Sequence, residues 1–462
     1  MMTARYPRRR VRPRFRGAPM LAIWMAFAVS GCDSLLDVSN PNNVVGDDVV
    51  DPTAASAVAN GALYTVQEGY GYMLAAYSTV SDELHWIGSR DAWFELELGT
   101  PENPANEFTD QAFPFLAQGR WMADEAIKIL EEHQTNGVLE KITDLARTYL
   151  FAAISYVNIA DWLDDFALSD RRESGPPIGD DNMGGFYTTA IGYIGSGLAI
   201  VGGSGSDLER NLLAMRARAR HAAAVWNMIG PSTATFPVGS PLVSDAAAVA
   251  DANAALAIDD TDWEYRFDYG ASTVWNDLGW QVNARLELRF SDDYIFAASD
   301  DNTRDLTAAD RGVRLQDPID NVGDPRLDVI MTAFEADERF ADLTILSGIE
   351  MYLILAEDAL ANGNVTGGNS FEEHINTVRG FGTNLTDWST AAGMPTAQNL
   401  LIHERRVNLF LQGRRLNDMY RFGILSSMWQ ASSAAVTNPG TFLPITKIEL
   451  DANCHLNPDF EC

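Results

Sequence analysis

Apolar residues recur at steps of three or four along much of the chain, the spacing that places them on one face of a helix. In the stretch 139–166, for example, Ile142, Leu145 and Tyr149 follow this spacing. The pattern predicts helices over 53–67, 120–133, 139–166, 187–201, 207–229, 343–361, 370–379 and 397–415. The chain is therefore predicted to be mainly α-helical.

Most of these helices come in consecutive pairs. The predicted pairs are 120–133 with 139–166, 187–201 with 207–229, and 343–361 with 370–379. Pairs at intervals of about 34 residues are typical of tetratricopeptide repeats, in which each pair buries its apolar face against the next. Residues 231–335 lack a helical period, and we predict a loop-rich, partly β insertion there, with a strand over 283–290. The prediction is a single domain over 53–462.

The first 31 residues have the layout of an export signal. Residues 1–17 hold seven arginines and no acid, an apolar run follows over 20–29, and Val29-Ser30-Gly31-Cys32 ends it with small residues before a cysteine. This layout is typical of a secretory signal, and the apolar run is too short to span a bilayer. The last four residues resemble a bacterial lipobox, which predicts cleavage before Cys32 and lipidation of its thiol. An ordinary signal peptide with an incidental cysteine is the alternative.

Residues 32–52 are polar, with Asn, Pro, Asp and Val mixed, and are predicted to form the lipidated N-terminus and an extended tether. No later segment reaches the ~18 consecutive apolar residues that a membrane-spanning helix requires. The predicted membrane attachment is therefore the N-terminal lipid alone.

Charge excludes one class of partner. The 462 residues include 33 Lys and Arg against 64 Asp and Glu, a net charge of −31. Without residues 1–31, 26 basic residues remain against 64 acidic ones, a net charge of −38. Nucleic-acid binding needs a basic surface, so no nucleic acid is expected as a partner.

The two other cysteines, Cys454 and Cys462, lie at the C-terminal end of an exported chain. An oxidising compartment favours a disulfide between them, and two free thiols are the alternative. The sequence offers no catalytic motif: its six histidines include no His-x-x-x-His pair, and no Gly-x-Ser-x-Gly elbow or phosphate loop is present. The run 300–305 lacks the central glycine and final glutamate of a calcium loop. We therefore predict a protein that is not an enzyme, with no cofactor and no metal.

Aromatic residues instead cluster outside the predicted helices, beside carboxylate, amide and guanidinium groups. A sugar ring has an apolar C–H face and a rim of hydroxyls, and binds to flat aromatic faces that have hydrogen-bonding groups near them. Two regions supply the candidate ligand-binding residues, which are Asp82, Trp86, Arg90 and Trp93 in the first and Trp263, Tyr265, Tyr269, Trp275, Asn276 and Trp280 in the second. The alternative for each ring is a place in the core.

Several motifs, in order along the chain, resemble the SusD/RagB family of outer-membrane nutrient-binding lipoproteins. Resembling elements are Cys32-Asp33-Ser34-Leu35-Leu36-Asp37, Asp324-Pro325-Arg326-Leu327, Ile375-Asn376 to Arg379, Glu404-Arg405-Arg406 to Gly423, and Leu443-Pro444-Ile445 with Asn457-Pro458. Thr446 departs from the family pattern, in which a second proline is usual. The terminal cysteines are not a family feature either.

The resemblance implies a SusD-like fold and a lipoprotein of the outer membrane that faces the cell exterior. It implies capture of an oligomeric nutrient, first an oligosaccharide and second a peptide, and delivery to a SusC-like TonB-dependent transporter. It also implies that the two aromatic regions contribute to the ligand face. A helical-repeat lipoprotein that binds only protein partners, with its aromatic residues buried, is the alternative from another class.

Overall fold

The computed structural model describes residues 50–170, 173–230, 234–297, 311–382, 384–459 and 461–462. The predicted signal segment, Cys32, nearly all of the tether and the run 300–305 lie outside the described residues. Among the described residues, no helix combines the length and apolar character that crossing a bilayer requires.

Helices form most of the N-terminal half. They are α1 (Ala55–Val80), α2 (Asp91–Glu97), α3 (Glu107–Thr135), α4 (Ile142–Trp162), α5 (Gly185–Val201), α6 (Asp207–Ile229) and α7 (Ala246–Leu256). Strand β1 (Leu84–Trp86) lies between α1 and α2, and the short 3-10 helices Pro52–Ala54 and Asp180–Asn182 precede α1 and α5. Side chains cap the N-termini of several helices. The Asn106 side chain accepts a hydrogen bond from the amide of Phe108 at 3.1 Å, and the Ser206 side chain accepts one from the amide of Glu209 at 3.2 Å.

The rest of the chain mixes short strands with helices. In chain order these are β2 (Glu264–Phe267), the helical turn Asp277–Gly279 with the π turn Trp280–Ala284, β3 (Leu288–Phe290), β4 (Ile295–Ala297), β5 (Arg311–Val313), α8 (Pro325–Glu335), β6 (Leu343–Ser347), α9 (Gly348–Ala361), α10 (Phe371–Gly380), α11 (Ala397–Asn408), α12 (Arg415–Phe422), α13 (Ala434–Thr437) and α14 (Lys447–Ala452). The strands form three antiparallel pairs, β1 with β3, β2 with β6 and β4 with β5.

The helices pack as neighbours along the chain, α1 on α3, α4 on α5, α6 on α7 and α9 on α10, with further contacts between successive pairs. A large buried core runs through Asp51–Cys462, which forms one compact unit, and a smaller core lies among α9, α10 and α11. The mainly helical fold class that the sequence predicted is confirmed.

Two glycines allow α1 and α3 to approach closely. A Cβ atom on Gly69 would lie 2.6 Å from the carbonyl oxygen of Phe115, and one on Gly119 would lie 2.9 Å from that of Thr65. Because both obstacles are backbone atoms, neither can turn aside. Helix α1 continues to Val80, although the apolar pattern predicted its end at residue 67.

Other predicted boundaries were wrong. Residues 343–347 form β6 and not the first turn of a helix, because they pair with β2 from Phe267↔Leu343 to Glu264↔Ser347. Helix α3 begins at Glu107 and contains Pro114, well before the predicted start at 120. The insertion 231–335 contains two helices, α7 and α8, that the pattern did not predict.

The long helix predicted over 397–415 is also wrong, since the chain forms α11 and α12 with a break between them. At the break, Leu411 and Gly413 have positive φ angles of 55° and 68°. The amide of Leu411 donates to Glu83 Oε1 at 2.8 Å, and the Gly413 carbonyl accepts the Trp162 indole N–H at 3.0 Å. These tertiary contacts fix the turn.

A disulfide joins Cys454 and Cys462, whose Cα atoms are 5.1 Å apart. It closes a small loop at the C-terminal end, after α14.

Candidate ligand-binding surface

An aromatic surface lies where α1 and α3 meet the insertion. The partly exposed rings of Trp275 and Trp280 are 5.6 Å apart at 35°, and the Arg339 guanidinium lies 4.1 Å from the centre of the Trp280 ring. Tyr72 of α1 stacks on Phe115 of α3 with ring centres 4.2 Å apart, and its hydroxyl interacts with the Trp275 indole. We call these five residues the aromatic surface.

Polar groups of α1 border this surface. Tyr64, Glu68 and Tyr72 follow one another at steps of four residues and so share one face of the helix. Tyr64 is 41% exposed. Burial, followed by the nearby Asp277 carboxylate, raises the pKa of Tyr72 to about 12. Its hydroxyl therefore keeps its proton at neutral pH.

Two buried residues hold the tryptophans in place. Asn276, which is fully buried, donates from its side chain to the Ala341 carbonyl at 2.7 Å. The hydroxyl of Tyr269 donates to the Gln67 carbonyl in α1 at 2.9 Å. Both were predicted to bind ligand. The structure instead makes them supports for the segment between α1 and the tryptophans.

The first predicted region forms a second aromatic group. Trp86 and the 40% exposed Phe94 have ring centres 5.2 Å apart. Arg90 forms an ion pair with Glu107, and its backbone amide donates to Glu287 Oε2 at 3.0 Å. Because Trp86 pairs with Leu288 in β3, which follows the π turn of Trp280, the two predicted regions are joined through β1 and β3.

The structure places three other candidates in the interior. Asp82 is 4% exposed and binds Arg415 through two hydrogen bonds of 2.6 and 2.7 Å. Trp93 is 1% exposed and stacks on Phe108 at 3.8 Å. Trp263 is 6% exposed, and its indole N–H donates to the Asp259 carbonyl at 3.0 Å. The prediction of an open ligand surface is wrong for these three side chains, because all three are buried.

Tyr265 lies apart from both aromatic groups. It is half-buried in β2, with its ring 6.1 Å from that of Phe267. It lines a separate cleft beside α8.

Sequence reasoning missed Tyr72, Phe115 and Arg339. Tyr72 and Tyr64 share a helix face at a spacing of eight, a signal that the pattern of α1 contains. Phe115 and Arg339 come from elements distant in the chain from the tryptophans, and only the tertiary fold brings them to the surface.

Among the described residues, two groups of side chains have the composition of a metal site. In one, ligand atoms of Asp317, Asp324 and His403 lie within 4.8 Å of one another. Arg379 binds Asp317 and Arg326 binds Asp324, so arginines already neutralise these carboxylates. In the other group, around His455, the cysteine sulfurs are held in the disulfide. A metal ion would therefore find no unpaired carboxylate or free thiolate in either group.

No protein-family model matches the chain, and no curated protein matches it in sequence. Solved structures do match. A SusD homolog from Bacteroides thetaiotaomicron is 14% identical, with a TM-score of 0.60 over 90% of this chain and 98% of that one. A SusD superfamily protein from Parabacteroides distasonis is 10% identical, with a TM-score of 0.58 over 90% and 99%.

A SusD-like carbohydrate binding protein from Bacteroides fragilis is 13% identical, with a TM-score of 0.53 over 87% of this chain and all of that one. In each case the match covers nearly the whole length of both chains. The SusD-like fold that the sequence resemblance implied is therefore confirmed.

Proposed function

We propose that this chain is a binding protein for oligosaccharides and that the aromatic surface holds the sugar. The observation that carries the proposal is the pair of partly exposed rings, Trp275 and Trp280, beside Arg339 and Tyr72. Flat rings at an angle suit the apolar faces of successive sugar units, while a guanidinium suits their rims. The SusD-like fold, which one matched structure shares as a carbohydrate binding protein, supports it.

The proposal includes the place of the protein in the cell. Held in the outer membrane by lipid on Cys32 and facing the exterior, it passes its ligand to a SusC-like TonB-dependent transporter. Binding and release are the whole of its chemistry, without bond making. The motifs of the sequence and the fold together support this part.

The Trp280→Ala protein is expected to bind oligosaccharide at least about fivefold more weakly than the unchanged protein, because one aromatic stacking contact is lost from the surface. Stacking contacts of this kind contribute about 1–3 kcal/mol, and 1.4 kcal/mol is a factor of ten. Isothermal titration with linear oligosaccharides such as maltoheptaose and cellohexaose, and with mixed oligopeptides, gives the affinities.

Phe296→Ala is the matched control. Phe296 is also an exposed ring under an arginine, with Arg314 at 4.7 Å, and it is not part of the aromatic surface. Its loss should leave the affinity unchanged. Equal affinities for the Trp280→Ala and unchanged proteins would move the site elsewhere. Binding of peptides alone would favour the alternative of a peptide-binding, RagB-like protein. Binding of neither ligand would favour a scaffold that binds only protein partners.

The Cys32→Ser protein is expected to appear in the soluble fraction of cells, because an oxygen at this position cannot carry the thioether-linked lipid. Each buried methylene of an acyl chain contributes about 0.8 kcal/mol to membrane binding, so removing the chains should abolish nearly all membrane association. Cell fractionation measures the outcome. Continued association of Cys32→Ser with lipid would contradict the anchor.

A further inference from the structure

The Arg339 guanidinium is an unpaired positive charge on the aromatic surface. It lies 4.1 Å from the centre of the Trp280 ring, and both side chains are partly exposed. Among the described residues, no carboxylate forms an ion pair with it and no oxygen accepts a hydrogen bond from it. None of its nitrogens is among the buried unpaired polar atoms. Solvent, and therefore a ligand, can reach its N–H groups.

Such an arginine is exceptional in this chain. Every other arginine whose side chain the structure describes, apart from Arg314, forms an ion pair with a carboxylate. Arg285, which follows the π turn, pairs with Glu287 at 3.8 Å. The chain has 64 acidic residues against 33 basic ones. Arg339 therefore stays unpaired in spite of an excess of possible partners.

The position of Arg339 is fixed by the segment that carries the tryptophans. Its backbone carbonyl accepts a hydrogen bond from the amide of Asn276 at 2.8 Å, and the Asn276 side chain donates to the Ala341 carbonyl at 2.7 Å. From the π turn, the Asn283 side chain donates to the Asp337 carbonyl at 3.1 Å. The loop that carries the guanidinium is therefore held in place before a ligand binds, which lowers the ordering cost of binding.

The carboxylates near the aromatic surface do not neutralise this guanidinium. Burial raises the pKa of Asp277 to about 6, and the cation that opposes the rise is Arg285. Burial raises the pKa of Glu68, and no ion pair of its carboxylate is found in the described part of the chain. Asp337 and Glu338 are neighbours in sequence, but they are exposed, so solvent screens their charges. The positive charge is left for a ligand.

A guanidinium of this kind is suited to a carboxylate. Its planar fork of N–H groups matches the two oxygens of a carboxylate, and hydrogen bonds to a charged acceptor are about twice as strong as those to a neutral one. The Trp280 ring covers part of the guanidinium and limits the access of water, which strengthens such a pair. A sugar hydroxyl, by contrast, offers a single neutral oxygen. In an oligosaccharide, a uronic acid unit supplies the carboxylate.

We propose that the aromatic surface selects acidic oligosaccharides, in which Arg339 binds the carboxylate of a uronic acid unit and the rings of Trp275 and Trp280 hold the sugar units. This inference rests on the proposed function, because it names the class of oligosaccharide for the same surface. Arg339 is then the residue that determines specificity, while the tryptophans contribute affinity for charged and neutral sugars alike.

The test is isothermal titration of the purified full-length protein at about 0.15 M salt, where the Debye length is near 8 Å and the overall negative charge is largely screened. Hexamers of galacturonic, glucuronic, mannuronic and guluronic acid are each compared with their own methyl esters, which keep the rings and lose the charge. At least one acid form is expected to bind at least about fivefold more tightly than its ester.

The Arg339→Gln protein is expected to bind each acid form and its ester with about equal affinity, because the guanidinium is gone while the rings remain. Arg339→Lys keeps the charge without the planar fork, and should retain more of the preference than Arg339→Gln. Arg314→Gln is the matched control, since Arg314 also lies over an exposed ring, that of Phe296 at 4.7 Å, outside the aromatic surface. It should keep the full preference for the acid form.

The possible failures of this inference and of the proposed function are distinct. Methyl esters or neutral oligosaccharides that bind as tightly as every acid form overturn the inference and leave the proposed function standing. A preference that Arg339→Gln retains in full does the same. Tighter binding of sulfated cellohexaose than of every uronic acid hexamer overturns the assignment to carboxylates. If no sugar of any kind binds, the inference and the proposed function both fail.

Discussion

The Asp82→Asn protein is expected to lose about 3–5 kcal/mol of unfolding free energy while its folded molecules keep their affinity for oligosaccharide. Asp82 receives hydrogen bonds from Arg415 at 2.6 and 2.7 Å, from Arg406 at 3.0 Å and from Tyr294 at 3.1 Å. Burial alone would raise its pKa, but Arg415 and Arg406 outweigh it and lower the pKa to about 2. An asparagine leaves Arg415, itself 4% exposed, without its ion-pair partner in the interior.

Urea unfolding measures the stability, and titration below the unfolding transition measures the affinity. Asp181→Asn is the control, because Asp181 is exposed and has no ion pair among the described residues; its effect should stay within about 0.5 kcal/mol. A large loss of affinity in Asp82→Asn, with stability unchanged, would return Asp82 to the ligand site and contradict its role in the core.

The sequence predicted best those helices whose ends carry their own signals. The helix predicted over 207–229 is found as Asp207–Ile229, preceded by the cap Ser206. The helix predicted over 370–379 is found as Phe371–Gly380, preceded by the cap Ser370. A cap and an apolar stripe are local properties, and so a local pattern is enough to find them.

Prediction failed where a helix has no apolar stripe or where the deciding contact is distant in the chain. Helix α7 is largely alanine, so its two faces differ little in polarity and it has no apolar stripe to detect. Strand β6 takes its conformation from β2, about 80 residues earlier in the chain. The break at Leu411 depends on Glu83, and no pattern within 397–415 contains that partner.

The same limit applied to the ligand surface. The sequence identified aromatic residues near polar groups, but it could not tell which rings face the solvent. Trp275 and Trp280 are partly exposed, while Trp93 and Trp263 are buried. In a single sequence both kinds have the same neighbours. Only packing against α3, in the case of Trp93 on Phe108, separates the core ring from the surface ring.

The Glu357→Gln protein is also expected to lose about 3–5 kcal/mol of unfolding free energy at neutral pH. Glu357 is fully buried and forms ion pairs with Arg421 and, at 3.7 Å, with Arg405. It also accepts from His221 Nε2 at 2.9 Å and from the amide of Val243 at 2.9 Å. Glutamine keeps the shape but removes the charge, so two buried guanidinium groups depend on Asp418 alone.

The loss should depend on pH in a defined direction. Burial would raise the pKa of Glu357, but Arg421 and His221 outweigh it and hold the pKa well below its usual range. A lowered pKa in the folded state stabilises the protein above the unfolded pKa of about 4.3, and this contribution disappears as pH falls towards the folded value. Burial also lowers the pKa of His221, so its protonation below about pH 6.5 favours unfolding.

The unchanged protein should therefore lose stability on acidification, first below about pH 6.5 and more steeply below about pH 4.3. Once acid protonates Glu357, the unchanged protein resembles the glutamine variant, so the difference between their unfolding free energies should shrink as pH falls. Asp358→Asn is the control: the adjacent Asp358 accepts a hydrogen bond from Ser244 at 2.9 Å, which asparagine can also accept. Urea unfolding at about pH 7.5, 5.5 and 3.5 measures all three proteins, and the difference should shrink mainly at the lowest pH, which lies below the unfolded pKa. A difference that stays constant with pH would show that the carboxylate charge of Glu357 does not stabilise the fold, because only a charge effect is removed by protonation.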